Sequence, residues 1–250
     1  MPSLSFEVCV DSVESAEAAQ FGGASRIELC SALGEGGLTP SLGLMEVVRA
    51  RVTLPIAVMI RPRAGDFCYS TAEFEVMRRD LIALKERGAN MMVFGLLEPD
   101  GSIDRARTRE LIALARPLPV TFHRAFDMTR DPRAALETLI ELGCERVLTS
   151  GQEKSVLEGL DLLVELIGQA NGRIGVVPGG GITERNLPRI LRECRVQEFH
   201  VSASATRDST MIFRNTRIPM GRTLAASEFA LSMADEIRVR RFRELADSVD

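Results

Sequence analysis

The 250-residue chain has no tryptophan, one tyrosine and two histidines. So few aromatics exclude the stacking surface on which single-stranded nucleic acid is read. Positive charge is not in excess either. Lys and Arg number 31 against 35 Asp and Glu, for a net charge of −4. A general nucleic-acid binder needs the opposite, a basic footprint. No apolar run reaches the ~18 residues that a membrane-spanning helix requires, so no membrane association is expected. The first residues, MPSLSFE, show neither the basic nor the apolar segment of a secretory leader, and secretion is not expected. The five cysteines, at 9, 30, 68, 144 and 194, include no CxxC pair and are odd in number, which argues against a disulfide framework.

Hydrophobic residues make up 45% and charged residues 26%, an ordinary globular balance. Short β-rich runs occur near 5–10, 25–30, 55–60, 90–96, 118–123, 145–149, 173–178 and 197–202. Helical patterns lie between and after them, near 12–21, 41–51, 71–88, 104–115, 132–142, 155–170, 183–193 and 225–246. Eight strands alternating with eight helices imply a parallel sheet. Their regular spacing and the total length favour closure over an open sheet, so the expectation is one α/β domain, a (β/α)₈ TIM barrel spanning residues 1–250. Thr39-Pro40, Asp131-Pro132 and Thr183-Glu184 read as helix starts. Phe74, Met77, Leu81 and Leu84 mark the buried face of the third helix.

Two connections exceed what packing needs: 61–70, after the third strand, and 203–224, after the eighth. Both fall at the face where such barrels carry their sites. The second is basic, with Arg207, Arg214, Arg217 and Arg222 against Asp208 alone.

Strand alternation sharpens this. Phe6, Val8 and Val10 should face the helices, leaving Glu7, Cys9 and Asp11 inward or at the mouth. Ile27 and Leu29 repeat the outward pattern, with Glu28 and Cys30 inward. If the two strands are near register, the thiols are neighbours and the carboxylates lie one layer deeper. Buried carboxylates need partners, and the candidates are Arg61, His123, Arg124 and His200. Both histidines fall at strand ends. His200 shares its parity with Ser202. Beyond the seventh strand, Gly179, Gly180 and Gly181 precede a helix start and could present backbone N–H groups to an anion. A structural reading competes at each position: a satisfied core histidine, a tight turn, a buried small thiol.

The stretches 7–12 (EVCVDS), 26–31 (RIELCS), 35–41 (EGGLTPS), 60–63 (IRPR), 65–70 (GDFCYS), 120–127 (VTFHRAFD), 146–151 (RVLTSG) and 178–183 (PGGGIT) resemble the CutC family of copper-homeostasis proteins, in a form closer to its animal members. Ala64 departs from the family's usual glycine. The resemblance implies a (β/α)₈ barrel, a cytoplasmic location, homo-oligomers (dimer or tetramer) and copper(I) binding by Cys9 and Cys30. Soft thiolates suit that ion, and no organic cofactor is expected. Copper alone does not explain a mouth with two acids, two histidines and several arginines. The alternative is an enzyme of lyase, isomerase or hydrolase type acting on a small anionic metabolite. Glu7, Glu28 or His123 would then move protons, and Arg61, Arg63, Arg124, Asp127, His200, Ser202 and the 179–181 loop would hold the ligand. A regulatory barrel with a vestigial site is the third reading.

Overall fold

A computed structural model describes residues 4–215, 217 and 229–248. Eight strands build the main sheet: β1 (Ser5–Val10), β2 (Arg26–Leu29), β3 (Ile56–Met59), β4 (Met91–Phe94), β5 (Val120–Phe122), β6 (Arg146–Thr149), β7 (Gly175–Pro178) and β8 (Glu198–Val201). The helices are α1 (Val13–Phe21), α2 (Leu42–Arg51), α3 (Thr71–Glu86), α4 (Arg105–Ala115), α5 (Pro132–Leu142), α6 (Leu160–Ala170), α7 (Leu187–Cys194) and α8 (Glu236–Asp247). The order β7-β6-β5-β4-β3-β2-β1-β8 is parallel throughout, and a parallel bridge from Gly179 to His200 brings β7 against β8. The result is the expected (β/α)₈ barrel.

The outward parity is as the sequence implies. Phe6, Val8, Val10, Ile27 and Leu29 are fully buried under the helices. Phe6 stacks on Phe199 with centroids 5.3 Å apart, and Phe242 of α8 packs on both rings. Burying each such ring is worth ~1.5–3 kcal/mol, so α8 fastens the seam between β1 and β8. The barrel interior is different. Cys30, Ala57, Met59, Met91 and Val93 form its only apolar cluster among the described residues, and charged side chains fill much of the remainder.

Helix starts follow local chemistry. Asp131 caps α5 through Arg133 and Ala134 N–H, with Pro132 in the first turn, as expected. Two expected caps fall elsewhere. Ser41, not Thr39, caps α2. Thr183 and Asn186 close a turn on each other, which delays α7 to Leu187. Residues 155–159, expected to open α6, form a turn instead, with Val156 N–H bonded to the Gly180 carbonyl rather than to a helical partner. Beyond β8 the described residues include two antiparallel strands, β9 (Ser204–Asp208) in the long connection and β10 (Ala230–Ala234) after it. Residues 230–234, read as helix from the sequence, are therefore strand, and α8 begins after the Asp235 cap. Residues 225–228 and Arg222 lie outside the described residues.

Candidate functional site

A cavity of about 420 Å³ opens at the C-terminal end of the strands. Cys9, Glu28, Arg61, His123, Arg124, His200 and Ser202 line it, with Phe67 from the 61–70 connection and Ser204 and Met233 from the β9–β10 hairpin. Other expected site residues lie elsewhere. Glu7 is buried behind His200, and Cys30 is packed beneath the turn at Gly37 and against Met59.

Register explains the first difference from expectation. Cys9 pairs with Glu28 across the β1–β2 ladder, and Glu7 pairs with Arg26. The two strands are offset by two residues, so the thiols are not opposite one another and neither are the carboxylates. Arg26 has the same inward parity as Glu28 and Cys30, which is the signal that could have revealed it. Its guanidinium bonds Glu7 at 2.5 Å and Glu198 at 2.7 Å, and Arg146 also meets Glu198, at 3.0 Å. This ladder across the barrel floor, with His200, supplies Glu7's partners. Neither Arg61 nor Arg124 fills that role.

Electrostatics separate the two acids. Burial alone would raise the Glu7 carboxyl, but Arg26, with the hydrogen bond and charge of His200, holds it at about 2. Glu7 is thus ionised and can only accept, so His200 donates from Nδ1, at 2.7 Å. Burial, helped by the Glu7 charge against the opposing pull of His200, pushes Glu28 up to about 7. Burial lowers His200, yet the Glu28 charge and hydrogen bonds to Cys9 and Glu7 raise it well above its ordinary range. Its Nε2 lies 3.9 Å from Glu28 Oε2. Glu28 Oε2 also faces the Cys30 thiol at 3.5 Å. Burial first, then the Glu28 charge, pushes that thiol well above its usual value.

His123 stands across the cavity. Its Nδ1 accepts from Ala125 N–H at 3.1 Å, so the neutral ring carries its proton on Nε2. Burial, aided by the Arg61 charge, lowers it to about 3. The ring fits because position 95 is glycine: a Cβ there would lie 2.6 Å from Nδ1. Phe67 packs on His123 at 5.0 Å and on the Arg61 guanidinium at 5.2 Å. The sequence reading missed Phe67 and Gly95; the aromatic in the long 61–70 connection and the glycine after the fourth strand were their only signals.

Several residues expected to hold an anion make contacts within the protein. Arg61 donates to the carbonyls of Glu35, Gly37 and Gly65. Arg63 braces its own loop through Asp66 and Glu73 and does not line the cavity. Asp127 accepts from Thr149, Ser150 and Gln152 and pairs with Arg124. Gly179 N–H bonds the Thr149 carbonyl. Gly180 and Gly181 have φ of +117° and +69° and pack against Arg124 and Ser155. None of the three lines the cavity. In the basic connection, Arg214 pairs with Asp208 at 2.7 Å, and Arg207 and Arg217 are exposed.

Fold and site together define a TIM-barrel protein with a charged, partly enclosed pocket at the C-terminal mouth. The CutC family model matches residues 4–205. The chain belongs to the CutC family. It is 58% identical over 243 residues to the human "Copper homeostasis protein cutC homolog", covering 97% of this chain and 89% of that one. The Dictyostelium discoideum homolog of the same name is 43% identical, with 96% of each chain covered. The greater likeness to the mammalian members agrees with the animal-type motifs. The crystal structure of the putative CutC of Streptococcus agalactiae superposes with a TM-score of 0.75 at 30% identity, covering 80% of this chain and 98% of that one. No helix among the described residues is long and apolar enough to cross a membrane.

Proposed function

We propose that this chain serves copper homeostasis, the role in the names of its relatives, by binding copper(I) through Cys9 and Cys30. The observation that carries this reading is the thiol arrangement. Cys9 faces the cavity, and Cys30 lies two residues past Cys9's ladder partner with its S–H against Glu28. Two sulfurs suit a soft, low-coordinate ion. A coordinated thiol loses its proton, and Glu28 Oε2 is placed to receive that of Cys30. The cytoplasmic setting and the homo-oligomer belong to the same reading. Anaerobic titration of Cu(I) against a competing chelator tests it. The double variant Cys9→Ser, Cys30→Ser should lose at least ~100-fold in affinity, on the general preference of Cu(I) for thiolates. Unchanged affinity in that variant rejects the thiol site.

A second reading is acid–base chemistry on a small anionic metabolite. It is favoured by polar atoms that a thiol-bound ion leaves unused: Glu28 Oε1 and His123 Nε2, both buried without a partner among the described residues. Glu28 would exchange the proton, Glu7 would orient His200, and His123 would donate a hydrogen bond as a neutral ring.

A further inference from the structure

Glu28 is a carboxylate only 3% exposed, and its surroundings answer it poorly. Among the described residues no arginine or lysine forms an ion pair with it. His200 faces it, with Nε2 3.9 Å from Oε2, beyond hydrogen-bond distance. The donor to Oε2 is the Cys30 thiol at 3.5 Å, a weak one. Oε1 has no partner among the described residues. The barrel floor is different. Arg26 and Arg146 between them pair with Glu7 and Glu198. Two arginines thus answer two acids there, and Glu28 is left over. Buried charges are ordinarily paired or coordinate a metal.

We infer that His200 and Glu28 hold a divalent transition-metal ion of borderline softness, of the Zn²⁺ type, with Glu7 as the carboxylate that orients the histidine. One ligand atom from each of Glu7, Glu28 and His200 lies within 4.8 Å of the other two. Their roles divide by what each has already given away. Glu7 Oε2 meets Arg26 at 2.5 Å and Oε1 meets His200 Nδ1 at 2.7 Å, so Glu7 holds the ring and is not free to ligate. Metal-ligating histidines almost always donate their other ring N–H to such a carboxylate. With that proton on Nδ1, the neutral ring presents its lone pair at Nε2, on the side of Glu28. Glu28 adds Oε2, and Oε1 can close onto the same ion. The cation replaces the protons that these atoms otherwise carry. Nitrogen and carboxylate donors suit Zn²⁺ and its divalent neighbours, whereas Cu(I) prefers thiolates. The site therefore rests on neither functional reading above. Glu28 and His200 both line the mouth cavity, which gives the ion a way in and leaves its remaining positions to water or a ligand.

The chain has two histidines, which makes imidazole ¹⁵N NMR a direct readout. The full-length protein, stripped of metal with a chelator, is titrated with Zn²⁺ against a chromophoric competitor and followed by NMR. One equivalent of Zn²⁺ should shift the His200 Nε2 signal and leave that of His123 in place. Glu7→Gln should weaken Zn²⁺ by ~10–100-fold, and Glu28→Gln by at least as much. The double variant Cys9→Ser, Cys30→Ser should bind Zn²⁺ as the wild type does. If a glutamate variant does not fold, the wild-type NMR and the cysteine variant decide the matter. No uptake of Zn²⁺ overturns the site, and so does uptake that moves neither histidine, which is surface binding. Binding that is lost in the cysteine variant but kept in Glu28→Gln also overturns it and gives the ion to the thiols.

Discussion

The two ends of the barrel interior treat buried charge in opposite ways. At the floor, Arg26, Glu7, Glu198 and Arg146 form a continuous chain of ion pairs. At the mouth, Glu28 and His123 each keep one atom without a partner among the described residues. Both ends are costly to desolvate. The floor offsets that cost with its own side chains, which is what a structural element does. The mouth leaves part of it outstanding among the described residues. Charge alone would not have separated them; the hydrogen-bond inventory does.

The comparison can be broken most severely at the floor. Arg26→Met removes the cation between two carboxylates and leaves them buried together, so it should cost ~3–5 kcal/mol in urea unfolding. A loss under ~1 kcal/mol would show that the network does not hold the acids, and the contrast would collapse. At the mouth, Gly95→Ala introduces a Cβ 2.6 Å from His123 Nδ1 and 2.9 Å from Ala125 Cβ. Overpacking of that kind should cost ~1–3 kcal/mol and move the His123 resonances while leaving those of His200 in place. Equal displacement of both histidines would mean that the two ends are not independent.

The smallest effect is in pH dependence. Glu28 is raised from 4.5 to about 7. Between those values the folded state keeps a proton that the unfolded state releases, so its contribution to stability falls as pH rises through that window. His123 is lowered from 6.5 to about 3. There the unfolded state takes the extra proton, so its contribution falls as pH drops through that window. The two oppose each other between pH 4.5 and 6.5. Glu28→Gln should therefore leave a protein whose stability declines more steeply on acidification over that range than the wild type does. Urea midpoints at half-unit pH steps read the difference directly, and superimposable profiles would mean that Glu28 has its ordinary affinity for protons.

Much of this was readable in the chain. The eight-fold alternation gave the barrel, and period-two parity placed Glu7, Cys9, Glu28, Cys30 and His200 inward, because pleating sends alternate residues to opposite faces. The buried face of α3 followed from its 3.6-residue spacing. The caps at Thr39 and Thr183 were misplaced because several serines, threonines and asparagines compete locally for the same N–H groups. The expected anion roles of Arg63, Asp127 and the three glycines did not place those residues on the cavity wall. A sequence names donors and acceptors but not which of them have already been claimed.

By itself, then, the sequence determined the fold class, the inward-facing inventory and the family, since all three depend on periodicity and local pattern. The tertiary structure alone decided the register that sets Cys9 against Glu28 and Glu7 against Arg26. It also decided which of two similar glutamates is held low by an arginine and which is pushed up by burial. Those outcomes rest on distances between strands far apart in the chain, and on burial, where a shift of two residues along a ladder exchanges one charged neighbour for another.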